Sequence, residues 1–300
     1  MEDYLDREKY PKVVVMTQTR EVDYIKLNSF LSIKNLLFEW PENLRFIINN
    51  QIKIKETEKI VIKHKDYIEF KTSFISLSKA RNELLKLAKN YFGEYDYFIH
   101  IDDDAYIYDY NILIQSLLYL KRNNIKGLII GSVCKPNLDP INKHIKNFKN
   151  FKELNIFNHN AIMGSCICYG TEVANNTNLF DERFGLGSRF GGSEETEIFF
   201  KVLDNKIKII YNPCFIVIHP PTYKNQYGIK KMFNYGVGRG AVYKKHLHIN
   251  RVIMYYFLFV SLISNLILLI FGFLSFNKSF GIRNTGLFIG KIYGFFLYKK

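Results

Sequence analysis

The sequence predicts an α/β protein, with a mixed, mainly parallel sheet flanked by helices and a C-terminal membrane helix after it. Three observations predict it. Runs rich in β-branched residues alternate with amphipathic helical stretches over the first hundred residues, the order of βαβ units. An acidic triplet, Asp102-Asp103-Asp104, closes an apolar run, and Val252 to Phe276 carries no charge.

Taken in order, Val13 to Thr17 reads as a first strand, Val22 to Leu37 as a helix and Asn43 to Asn49 as a second strand. A short strand at Ile60 to Lys63 precedes a helix whose apolar face is Leu77, Ala80, Leu84, Leu87, Ala88 and Tyr91. Tyr95 to Ile101 is a buried strand by composition, which sets the three aspartates at its carboxyl end, where open α/β sheets bind ligands. A helix over Tyr110 to Leu120 and a strand over Gly127 to Val133 follow, then a polar stretch from Lys135 to Asn160. Long loops of this kind are often functional. Ala161 to Tyr169 is a further strand, and the glycine-rich Phe184 to Ser193 leads into a helix opening on Glu194-Glu195-Thr196-Glu197. Lys206 to Tyr211 and Phe215 to Ile218 read as two short strands ending at His219-Pro220-Pro221.

The expected domains are a catalytic domain over 1–226, an amphipathic juxtamembrane segment over 227–251, a membrane-embedded helix over 252–276 and a basic interfacial tail over 277–300. At about 1.5 Å per residue the uncharged stretch is long enough for a hydrocarbon core of roughly 30 Å. Basic residues lie on both sides of it, so charge does not orient it. Gly236-Val-Gly-Arg-Gly240 follows no strand and so reads as close helix packing, with Arg239 a candidate contact to a diphosphate.

The net charge of +14 favours anionic partners, but the lysines are spread evenly and form no compact stripe, which speaks against nucleic acid. The four cysteines lack C-x-x-C pairing, so a reducing cytosol is expected for the main domain, with Cys166 and Cys168 as core residues.

Three adjacent carboxylates repel unless a cation offsets them, and hard divalent ions such as Mn²⁺ or Mg²⁺ prefer oxygen ligands and bridge them to phosphates. A solvated acidic turn is the rival account of the triplet by itself. Glu195 shares a helical face with Ile198, Phe199 and Val202, so it is expected to point inward while Glu194 and Glu197 point elsewhere. In a first turn it is favoured as a carboxylate and suits a general base, although such acids also simply stabilise helices. His219, after the last strand, offers a neutral imidazole ligand.

These residues together resemble the GT-A fold of family 2 glycosyltransferases. The likeness runs over roughly residues 11 to 222 and rests on the Asp-Asp-Asp triplet, Ser78-Lys-Ala-Arg-Asn82, Glu-Glu-Thr-Glu after a glycine-rich loop, and the late histidine. It implies that Asp102 and Asp104 match the D-x-D acids, that Glu195 matches the catalytic acid of the E-D motif, and that His219 is the late metal ligand. It also implies nucleotide contacts from Thr17, Arg20 and Asn50, with Lys79 and Arg81 nearby, and substrate contacts from Asp103 and Glu194. Glu stands at 195 where the family usually has Asp, and Asn49-Asn50 stands where an acidic pair is common. The implied activity is metal-dependent transfer of a sugar from a nucleoside-diphosphate sugar to a glycan or lipid-linked acceptor, inverting, at a membrane with the catalytic domain facing the cytosol. A nucleotidyltransferase would need a glycine-rich loop after the first strand, and Thr17-Gln-Thr-Arg-Glu21 has none. A membrane-tethered binding protein without turnover is the non-enzymatic alternative.

Overall fold

The computed structural model describes residues 10–21, 29–33, 43–55, 58–65, 67–145, 149–175, 179–220 and 228–299. The chain divides into two compact units: Met1–Ile75, Lys79–Leu179 and Lys201–Pro220 form the first, and Ser76–Ser78, Phe180–Phe200 and Pro221–Lys300 the second.

The first unit is a ten-stranded sheet with its helices. In chain order its elements are β1 (Val13–Thr19), β2 (Leu44–Gln51), β3 (Lys59–Lys63), β4 (Ile68–Thr72), α1 (Leu77–Phe92), β5 (Tyr97–Ile101), β6 (Tyr106–Ile107), α2 (Tyr110–Arg122), β7 (Leu128–Cys134), β8 (Lys152–Glu153), β9 (Cys166–Gly170), the short α3 (Thr171–Ala174) and β10 (Ile209–Ile218). The strand order is β3-β4-β2-β1-β5-β9-β7-β10-β6, with β8 on β10. β4, β2, β1 and β5 run parallel, as do β7 and β10. β9 is antiparallel to both β5 and β7, so β5, β7 and β10 share one direction and end at one edge of the sheet. The central strands are buried on both faces, which is why they read as continuous apolar runs and not as alternating ones. Cys166 and Cys168 lie in this core, as expected of small apolar side chains.

Of the helix expected over Val22 to Leu37, residues 29–33 are helical and the remainder lies outside the described residues. β4 was not expected. Its sequence, Ile-Glu-Phe-Lys-Thr, alternates charge with apolar residues as an edge strand would, yet β3 covers it and buries Glu69. The two strands expected near Tyr211 and Phe215 are one, β10, bent by an irregularity between Tyr211 and Ile216.

The second unit contains the start of α4 (Glu194–Asp204) and, among the described residues, three long helices, α5 (Ile229–Lys245), α6 (Arg251–Leu274) and α7 (Lys278–Leu297). α5 and α7 run parallel and touch through glycines. A Cβ on Gly290 would lie 2.2 Å from the Phe233 carbonyl oxygen, and one on Gly294 would lie 2.0 Å from that of Val237. Gly236 faces Gly290 across the seam, so the close packing expected of Gly236 to Gly240 is present, and the spacing Gly286, Gly290, Gly294 supplies its other half. α6 runs back along α7, where Lys291 donates to Asn265 and to the Ser261 carbonyl, and Asn265 donates to Asn284 at 3.0 Å.

Candidate metal and substrate site

β5 is buried along its whole length and ends at Ile101, so the chain must turn where Asp102 begins, and the Ala105 N–H closes that turn on the Asp102 carbonyl at 3.2 Å. β10 ends at the same sheet edge, tied to β7 by the His219 N–H donating to the Cys134 carbonyl at 2.9 Å. The shared direction of β5, β7 and β10 therefore brings together residues 115 positions apart in sequence.

Asp102, Asp104 and His219 each offer a ligand atom, and these lie within 4.8 Å of one another. His219 Nε2 is 3.3 Å from Asp104 Oδ1. Its other nitrogen, Nδ1, is 2.8 Å from the Pro220 carbonyl oxygen, which can only accept. Nδ1 therefore donates to that carbonyl and Nε2 is the ring nitrogen turned toward Asp104, as in a metal-bound histidine whose outer nitrogen is hydrogen-bonded. Two carboxylates and an imidazole nitrogen converging in this way fit a Mn²⁺ or Mg²⁺ ion. Mn²⁺ suits the mixed oxygen and nitrogen set better than Mg²⁺, which favours oxygen alone.

Arg81, fully buried on α1, lies behind this group. Its Nη2 donates to the Gly164 carbonyl at 2.8 Å and stands 3.6 Å from Asp102 Oδ1, so a fixed positive charge lies behind that carboxylate. His100, two residues before Asp102, is buried with Nε2 2.8 Å from the Tyr169 hydroxyl. Burial, reinforced by the Arg81 charge, holds its imidazole neutral well below the ordinary histidine value.

Asp103 faces away from the metal group. Thr19 Oγ1 donates to its carboxylate at 2.6 Å and Ser29 Oγ to its carbonyl at 2.8 Å. Burial raises its carboxyl, against the pull of Thr19, and the neighbouring Asp104 and Glu21 charges push it the same way. Thr19 and Ser29 thus fix the backbone between the two metal-facing acids. The sequence reading stopped β1 at Thr17 because polar Gln18 and Thr19 end the apolar pattern, and so missed Thr19; period two from Thr17 is the signal that would have found it.

The remaining expected nucleotide contacts are placed less uniformly. Thr17 is fully buried, its hydroxyl donating to the Ile101 carbonyl at 2.9 Å, so it props the end of β5. Arg20 is exposed, its guanidinium 5.0 Å from the centre of the exposed Phe74 ring. Asn50 is buried and donates to the buried Glu69 carboxylate of β4 at 2.9 Å. Lys79 is exposed on α1.

The glutamate turn belongs to the second unit. Contrary to the helical-face expectation, Glu194 and Glu197 are buried and Glu195 is the partly exposed one. The reason is that Ile198, Phe199 and Phe200 are all buried, so the helix start has no single inward face, and Glu197 is drawn in by charge: Lys245 donates to it and also to Asp181 at 2.7 Å. His246 Nε2 stands 3.7 Å from Glu197, beyond hydrogen-bond length. Burial would raise the Glu197 carboxyl, but the His246 ring and the Lys245 ammonium outweigh it and hold it low. Arg239 is half-buried on α5 beside the Tyr243 hydroxyl, which burial raises and Arg239 opposes.

No family model matches the sequence, and no curated protein matches it. Solved structures match it by shape. One is described as the mannosyltransferase PcManGT from Pyrobaculum calidifontis in complex with GDP-Man and Mn²⁺, with a TM-score of 0.63 at 12% identity over 96% of this chain and 88% of that one. S. aureus TarS aligns with a TM-score of 0.51 at 14% identity over 79% of this chain, which spans 43% of TarS. At these identities the likeness is one of fold: the mixed sheet with its flanking helices has the architecture of these two structures, the first of them a mannosyltransferase.

Proposed function

We propose that this protein is a metal-dependent glycosyltransferase that moves a sugar from a nucleoside-diphosphate sugar to a hydroxyl of a glycan or lipid-linked acceptor with inversion, at a cytosol-facing membrane surface, in synthesis of a cell-surface polysaccharide or glycolipid. The observation that carries it is the convergence of Asp102, Asp104 and His219 at the carboxyl edge of the sheet, backed by the buried Arg81. A divalent ion held there supplies charge neutralisation for a departing diphosphate. Asp102 and Asp104 would hold it, with the Arg81 charge behind Asp102. Glu195, the accessible carboxylate of its turn, is the proposed base that takes the acceptor proton. Arg20, Lys79 and Arg239 are the proposed cationic contacts to the nucleotide, with Asp103 and Glu194 shaping the substrate surroundings. The apolar, largely exposed α6 supports the membrane reading.

The test is release of nucleoside diphosphate from a panel of UDP-, GDP- and dTDP-sugars with Mn²⁺, Mg²⁺ or chelator. A GDP-sugar is the first donor to try, given the ligand of the Pyrobaculum enzyme. Metal-dependent release from one donor is expected, with Asp104→Asn losing it together with metal binding. Glu195→Gln is expected to lower turnover by about 10²- to 10⁴-fold while metal binding stays unchanged. Neither binding nor turnover of any donor would remove the glycosyltransferase reading.

A further inference from the structure

We infer that α6 lies in the plane of the bilayer, with its outward side sunk into one leaflet, and does not cross the membrane. This placement rests on the membrane reading above and specifies its geometry. By length α6 qualifies as a span: 24 residues, about 36 Å, with mean hydropathy 2.6 in its most apolar window and 22% of that window buried. Its neighbours decide otherwise.

α7 accompanies α6 along its whole length in the opposite direction. The Tyr255 and Phe295 rings are 5.7 Å apart, Ser261 and Asn265 take the Lys291 ammonium, Asn265 donates to Asn284, and Gly272 lies against Gly281. α5 is locked to α7 in turn, with Gly286 against the Ile229 carbonyl and Gly290 against Gly236. A crossing α6 would therefore take α5 into the hydrocarbon with it. The start of α5 lies at the level of Gly286, two residues from the Asn284 that bonds Asn265, which is near the middle of α6. Lys230 and Lys231 stand there, both exposed. A vertical α6 would hold both ammonium groups close to the bilayer centre, where an unpaired charge is strongly unfavourable. The middle of α5 also carries the Gly191–Gly192 turn, packed on Asn234 and Tyr235.

Laid flat, α6 has no such conflict. Its exposed side is an uncharged stripe at helical spacing, Val252, Tyr256, Phe259, Ile263, Ile267 and Leu274, while Met254, Phe257, Asn265 and Gly272 face the protein. α7 adds exposed Ile289, Ile292 and Phe296. Exposed Arg251 and Lys299 and half-buried Arg283 border the apolar surface, which suits a leaflet with anionic headgroups. A helix lying this way enters to about 5–10 Å.

The test uses the full chain with its one tryptophan removed by Trp40→Phe and a single tryptophan restored as Tyr256→Trp, Ile263→Trp or Phe271→Trp. All three side chains are exposed, so the substitutions leave the packing alone. Each variant is bound to vesicles of phosphatidylcholine and phosphatidylglycerol brominated at a shallow or a deep acyl position. The three sites extend over about 22 Å of helix. The expected result is one shallow depth shared by all three. A deep Ile263→Trp between two shallow ends would overturn the in-plane placement and leave the membrane reading standing. Absence of quenching at every site, as when a second copy covers the face, would overturn both.

Discussion

Asp104 and His219 bring a carboxylate oxygen and a ring nitrogen within 3.3 Å of each other, both atoms able to hold one cation. His219→Ala should therefore weaken Mn²⁺ binding, followed by electron paramagnetic resonance titration, by more than the roughly ten- to hundred-fold typical of losing an outer-shell partner. The triplet and His219 were legible in the sequence because both stand where an apolar run stops, and a parallel sheet places such points on one edge. Thr19, Ser29 and Glu69 were not, since each reaches its partner through pairing that no local pattern encodes: Glu69 belongs to a strand masked by its own charges. Glu195, expected to face inward, is instead the partly exposed acid of its turn, because helical periodicity cannot assign a face to a helix start buried all round.

At the scale of elements, the start of α4 and the end of α5 are joined by Lys245, Glu197 and Asp181. Lys245→Met would leave Glu197 buried without its main counter-charge and should cost about 3–5 kcal/mol of stability in a chemical melt. The same junction sets an acid response. Glu197 is held below its unfolded value, so its contribution is present above about pH 4.3 and is lost as pH falls through the folded value. Burial lowers His246, with Glu197 opposing, so the unfolded chain takes up its proton first and stability starts to fall below about pH 6.5. Both groups act in one direction. A melting-temperature series should decline from about pH 6.5 downward, and His246→Phe should shrink the upper part of the decline without abolishing it, because the buried His100 contributes in the same direction. The α5–α7 seam is tested by Gly290→Ala, whose new methyl has no room and should cost roughly 1–3 kcal/mol, against less than about 1 kcal/mol for Gly228→Ala, which has open space. Half of this seam was visible as Gly236 to Gly240; the half in α7 was read only as an interfacial tail, because glycine spacing declares a partner only once that partner is known.

For the molecule as a whole, a ligand that binds only the folded chain must stabilise it. Mn²⁺ at about a hundred times its dissociation constant should add about 2.7 kcal/mol by calorimetry, and Asp104→Asn should abolish the gain. The α/β class was readable from the alternation of strands and helices up to β5. The insertion of antiparallel β9 between β5 and β7 was not, because a strand buried on both faces looks the same in either direction. The Lys245 junction also has a consequence for ionic strength. Its carboxylates are shielded from the solvent, where a buried pair is screened far less than an exposed one. Concentrated salt should thus weaken exposed pairs such as Lys135 with Asp139 while the charges that hold the second unit together keep their strength, so a melt in molar salt should leave this junction intact.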